Sequence, residues 1–181
     1  MTDAAAAVLA PWSSFYVMVG SSAAALTGLM FVVITLVTGE RLRQNQGGLS
    51  AFSTPTVAHF GAALFVAGVL VAPWRTLVHP AVLLGLAGFC GVVYLFRVMH
   101  LTRRLSTYRA DIEDWAWYTI LPFAAYGAIL AGAILLPRIP VEALFTLAGG
   151  SALLIFIGIR NAWDIVTYIA IGDPNQPPSS G

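Results

Sequence analysis

The sequence predicts an all-α, polytopic integral membrane protein with five transmembrane helices and a helical cytoplasmic extension on the last. Three observations carry that reading. Of 181 residues, 59% are hydrophobic and only 9% are charged, whereas a soluble domain has roughly 45–50% and about 25%. Mean hydropathy is +0.83. The apolar residues also gather into runs of about 20, the length that crosses roughly 30 Å of hydrocarbon as a helix. Such a chain cannot cover a water-facing surface with polar groups. The composition therefore excludes a soluble globular domain, a disordered chain and a nucleic-acid binder. A net charge of +1 creates no global field to recruit a charged partner.

The first span is read over residues 14–37, ending at the polar stretch Thr38-Gly-Glu-Arg-Leu-Arg-Gln-Asn-Gln-Gly-Gly. It is too long for a signal-peptide core and has no basic segment before it, so it reads as a retained helix. The second span covers 55–72, with Ser53 or Thr54 as N-cap and Pro55 near the first helical position, where a missing N–H costs nothing. The third covers 81–101. The fourth covers 115–136, with a kink expected at Pro122. The fifth covers 141–160 and continues as an apolar extension over 161–171. Residues 141–171 would reach about 46 Å as one helix, more than a bilayer core requires. Arg160, Asn161 and Asp164 are therefore expected at the interface, with the extension projecting beyond it. Gly172-Asp-Pro174 stops the helix, so 1–172 form a single transmembrane domain and 173–181 a disordered tail.

The arginines orient the chain. Arg41, Arg43, Arg103, Arg104 and Arg109 lie in the two loops of one side, with Arg97 and Arg160 close to it; the other side has Arg75 and Arg138. The positive-inside rule makes the first side cytoplasmic, leaving the N-terminus outside and the C-terminus inside a cell (inner or plasma) membrane. Trp12, Trp74, Trp115, Trp117 and Trp163 fall near predicted helix ends, as an aromatic belt requires. Gly61-Ala-Ala-Leu and Leu86-Ala-Gly88 are echoed by Gly127-Ala-Ile-Leu and Leu147-Ala-Gly149, which suggests two related hairpins after a lone first helix.

Two features could carry function. In the first span, Ser14, Ser21, Gly28 and Thr35 recur every seven residues and project in nearly one direction. Hydroxyls along one stripe can replace part of a solute's or ion's hydration. Five short helices leave little room for a pore of their own, so such a path would form where first helices of several copies meet. The plainer alternative is that the hydroxyls bond back to their own helix. On the same helix Gly20, Ala24 and Gly28 form a small-xxx-small pattern, and Gly85, Gly88 and Gly132 extend close-packing surfaces to other helices.

The second feature is a polar group near the cytoplasmic ends: His59, Arg97, His100, Arg160 and Asp164. Ionisable residues in membrane spans are functional candidates by default, though those near an interface can snorkel. A basic mouth to the path is one reading; a haem or metal held by His59 and His100 is a weaker one. Cys90 alone can form no internal disulfide or zinc site and reads as a small buried hydrophobe. No acid lies mid-span, and no nucleophile–base constellation or phosphate loop is present, which disfavours proton-coupled transport and catalysis.

The expectation is thus a homo-oligomeric membrane protein, contacting lipid and not nucleic acid. It would form a pore or passive path for a small solute or ion, with no enzymatic activity and no cofactor. The alternatives are a non-catalytic accessory subunit docking a membrane partner through 161–171, and a haem- or quinone-binding electron carrier.

Overall fold

The computed structural model describes residues 4–41, 47–105 and 116–171, and among these no strand occurs. Helix α1 (Ala4–Leu9) passes through a 3-10 turn (Ala10–Trp12) into α2 (Ser13–Arg41). Helices α3 (Gly47–Val71) and α4 (Val78–Leu105) follow, then a π turn (Ala116–Ile120) leading into α5 (Leu121–Leu135), and finally α6 (Pro140–Ile171). Four stretches are long and apolar enough to cross a membrane: Ala5–Thr35, Val78–His100, Ala116–Leu135 and Pro140–Asp164. The apolar part of α3, Pro55–Val71, is shorter.

Several boundaries differ from the sequence expectation for local reasons. α3 begins at Gly47, so Pro55 stands inside the helix and not in its first turn, and no N-cap falls at Ser53 or Thr54. Proline withdraws one N–H from the ladder, and here the helix continues past that gap. Pro122 does mark a distortion: the wider π turn immediately precedes it. Pro140 opens α6, where its missing N–H is harmless. α6 then runs unbroken to Ile171, so the expected extension is a continuation of the same helix. The 173–181 tail, Gly172, Trp115 and the loop residues Arg43 and Arg109 lie outside the described residues.

Packing order differs from chain order. α2 packs on α3, α3 on α6, α6 on α5 and α5 on α4, while α3 and α4 touch only lightly. The side-chain register shows neighbours running antiparallel. Gly85, Gly88 and Gly91 of α4 meet Ala133, Leu130 and Tyr126 of α5 in reverse order. Gly132 and Gly150 likewise meet Leu147 and Ala125 across α5 and α6. α2 and α6 begin at the same end, where Tyr16 Oη donates to the Leu144 carbonyl at 3.1 Å and Trp12 sits edge-on to Phe145. The suggested pair of related hairpins is not equivalent in packing. α5 and α6 form a close hairpin, α3 and α4 do not, and Gly88 is tightly packed where its counterpart Gly149 faces open space.

The inner face of α2 is set by Tyr16, Val19, Ala23 and Met30, all buried, at the three- and four-residue spacing of a coiled-coil seam. Lipid offers helices no hydrophobic incentive to associate, so close approach at small residues must hold such a bundle together. The glycines show where that happens. A Cβ on Gly88 would meet the Leu130 backbone at 2.8 Å, one on Gly132 the Leu147 side chain at 2.7 Å, and one on Gly20 the Ala67 Cβ at 3.1 Å. Two glycines are notches for rings: Gly91 takes Tyr126 and Gly158 takes Phe60.

Candidate functional site

The hydroxyl stripe lies on the outside of the bundle. Ser14, Ser21, Gly28 and Thr35 are all exposed, and a Cβ on Gly28 would meet nothing within 4 Å. The seven-residue spacing therefore does hold the four in one direction, away from the other helices. Thr35 Oγ1 donates to the Phe31 carbonyl at 2.8 Å, satisfying itself on its own helix as the plainer alternative expects. The small-xxx-small pattern splits. Gly20 packs closely on α3, but Ala24 is exposed and Gly28 open. Steps of four residues advance 40° around a helix, so a surface narrow enough for Gly20 has turned away by Gly28. Gly85 makes an ordinary contact with Ala133 at 3.8 Å, while Gly88 and Gly132 lie tight against Leu130 and Leu147. Gly158, alone in an Ile/Phe run, is a packing position the sequence reading missed.

The polar group near the opposite ends divides into two sets. Arg97 and His100 on α4 are exposed. His59 on α3 is buried, its Nδ1 hydrogen-bonded with the Tyr126 hydroxyl across 3.1 Å. The structure therefore does not join His59 to His100. α3 and α4 touch only lightly, His100 is exposed on α4, and the histidine on α3 takes its partner from α5. Among the described residues no group of three or more His, Cys, Asp or Glu side chains comes close enough to hold a metal. Cys90 is exposed, a correction to the expectation of burial: an apolar surface in this protein faces outward as readily as inward.

Arg160 and Asp164 do pair, one turn apart on α6. Asp164 Oδ2 also accepts from the Tyr118 hydroxyl at 3.2 Å, and the Arg160 guanidinium lies 5.9 Å from the Trp117 ring centre. These contacts tie α6 to the π turn and form a partly exposed cap. Between Arg160 and Asp164 in sequence, Asn161 is buried, and its amide oxygen has no hydrogen-bond partner. Phe60 against Gly158 fixes the antiparallel register of α3 and α6, so Asn161 is level with Val57, between Thr56 and His59. Thr56, His59, Tyr126 and Asn161 are all buried polar side chains, and of these His59 and Tyr126 are joined by a hydrogen bond. Tyr126 was not singled out from sequence, although a tyrosine in mid-span must find its hydroxyl a partner, and that was a readable signal.

At the other end a shallow apolar recess of about 140 Å³ is bounded by Leu9, Ser13, Leu70 and Trp74. The Trp74 indole N–H donates to the Val69 carbonyl at 2.5 Å and its ring stacks on His79.

Comparison with known proteins finds no family model, no curated protein and no solved structure that matches this chain.

Proposed function

We propose that the chain crosses a cell membrane five times, N-terminus outside and C-terminus cytoplasmic. In this reading it assembles as a homo-oligomer whose α2 helices enclose a passive path for a small solute or ion. The observation that carries the reading is the exposure of Ser14, Ser21, Gly28 and Thr35 along one line of an outermost helix. The middle of the single bundle is filled by Phe60, Leu84, Ile129, Leu147 and Leu154, which supports placing any path between copies and not within one. The fifth span is supported by the place of α3 between α2 and α6, both long enough to cross. The seven arginines of one side support the orientation; exposed Arg97 and His100 lie on α4, at the opposite end of the packing order from α2 and away from such a path.

The test is flux into proteoliposomes, followed by stopped-flow light scattering for glycerol and urea and by a fluorescent reporter for potassium. The wild type passes at least one of the three above protein-free vesicles, and Ser21→Trp or Gly28→Trp returns the rate to that background. Flux unchanged by both substitutions, or a strictly monomeric protein by native mass spectrometry, sinks the reading.

A second reading is favoured by one feature. α6 continues past Asp164 to Ile171, with Trp163 65% exposed. A projecting, partly apolar helix suits an accessory subunit docked on a membrane partner through 161–171. Co-purification in fixed stoichiometry, lost when the chain is cut after Arg160, would select it. The geometry lends no support to the electron carrier, since His59 is committed to Tyr126 and His100 is exposed.

A further inference from the structure

We infer that the path along α2 takes small uncharged solutes bearing hydroxyl or amide groups, of the glycerol and urea kind, and turns back inorganic ions. This rests on the reading of α2 as the lining helix. Ser14 and Ser21 are set apart from Thr27, Thr35, Thr146, Ser151 and Thr167, each of which donates to the carbonyl four residues back at 2.7–2.9 Å. Both serines are exposed, and neither has a hydrogen-bond partner among the described residues. An unbonded hydroxyl can donate and accept at once. That suits it to water or a passing solute and not to hydrocarbon, where an unserved polar group is costly.

The same face is poorly equipped for an ion. Ser14 and Ser21 stand about 10 Å apart along the axis. Three residues after Ser14, Ser21 and Gly28 come Val17, Ala24 and Phe31, all exposed, so apolar side chains alternate with the hydroxyls. Mid-helix carbonyls are already taken by the helix's own hydrogen bonds. An ion leaving bulk water needs its hydration replaced by closely set oxygens or by rings of opposite charge. Residues 13–37 contain no ionisable group except the Tyr16 phenol, which is buried on the inner face. α3, which meets α2 at Gly20, exposes Gly61, Leu64, Phe65 and Gly68, again uncharged. Arg97 and His100, which could have drawn an anion, are on α4 at the far end of the packing order. A neutral solute makes no such demand. It exchanges a few hydrogen bonds with water for those offered at Ser14 and Ser21, and its non-polar atoms pass Val17 and Ala24 at no cost.

The full chain in proteoliposomes tests this, with glycerol and urea followed by stopped-flow light scattering and potassium and chloride by fluorescent reporters. Glycerol and urea should enter well above protein-free vesicles, and both ions should stay at that background. Ser14→Ala with Ser21→Ala keeps the width of the path and removes its two open hydroxyls, so glycerol and urea entry should fall by roughly threefold or more. The wild-type comparison stands alone should the double variant fail to fold. Potassium or chloride entering the wild type as far above background as glycerol would overturn the inference and leave the α2 path standing, as would glycerol and urea entry unchanged in a folded double variant. Entry of none of the four would sink the path and the inference together.

Discussion

Gly91→Val lowers the stability of the folded bundle by several kcal/mol, while Gly28→Val and Gly149→Val stay close to wild type. Any Cβ on Gly91 would land within the Tyr126 ring, whereas Gly28 and Gly149 have nothing within 4 Å. Forcing atoms into a packed interior costs about 1–3 kcal/mol and occasionally more. Tyr126 can yield only by swinging away from α4, which pulls its hydroxyl from His59. A buried histidine that loses its partner adds about 1–3 kcal/mol. Against a total of about 5–15 kcal/mol for a domain, that is a large share. Surface substitutions normally stay within about 0.5 kcal/mol. Size-exclusion profiles after graded heating in detergent would report the difference. Equal melting of all three variants would mean that α4 and α5 do not approach at Gly91.

Phe60→Ala is the second large effect, expected at about 3–5 kcal/mol. The ring is fully buried, packs with Met30 of α2, and sits in the notch left by Gly158 of α6. One side chain thus joins three helices. The notch also makes the loss reversible. Gly158→Leu should destabilise the wild type, where Phe60 occupies the space, and stabilise Phe60→Ala, where a cavity awaits filling. Residues in contact commonly couple by about 0.5–3 kcal/mol in such a cycle. Additive effects of the two substitutions would show that ring and notch are not engaged.

Much of this architecture was legible in the sequence because lipid imposes a simple rule on length and hydropathy. Spans one, three, four and five appear as helices long and apolar enough to cross a membrane, the first of them reaching back to Ala5, nine residues before its expected start. The start of α3 was misplaced because proline forbids one hydrogen bond, not a helix. From composition alone, Pro55 in a first turn and Pro55 inside a continuing helix look the same. The facing of each helix was less legible. In a soluble protein the polar face marks the outside, but in lipid both faces of α2 are apolar, so Ser14 and Ser21 could have pointed either way. Their common direction followed from spacing, while the side they face depends on Tyr16, Val19 and Ala23 forming the seam.

The pairing of His59 with Tyr126 was out of reach for a different reason. It depends on the order in which the helices pack, which chain sequence does not state. Sequence order alone makes α3 and α4 neighbours and sets His59 beside His100, whereas in the bundle the two helices touch only lightly. The same assumption missed Asn161: a residue beside Arg160 and Asp164 reads as interfacial, yet its direction on α6 takes it inward.

The central claim is that α3 crosses the membrane with the other four helices, so that the chain passes an odd number of times. Epitope tags at the two ends, probed with an impermeant protease on sealed right-side-out and inverted vesicles, measure this directly. The account predicts tags on opposite faces, the N-terminal one cleaved only from outside and the C-terminal one only from the cytoplasmic side. Cleavage of both tags from a single face would contradict it, leaving four crossings with the Pro55–Val71 helix held within one leaflet.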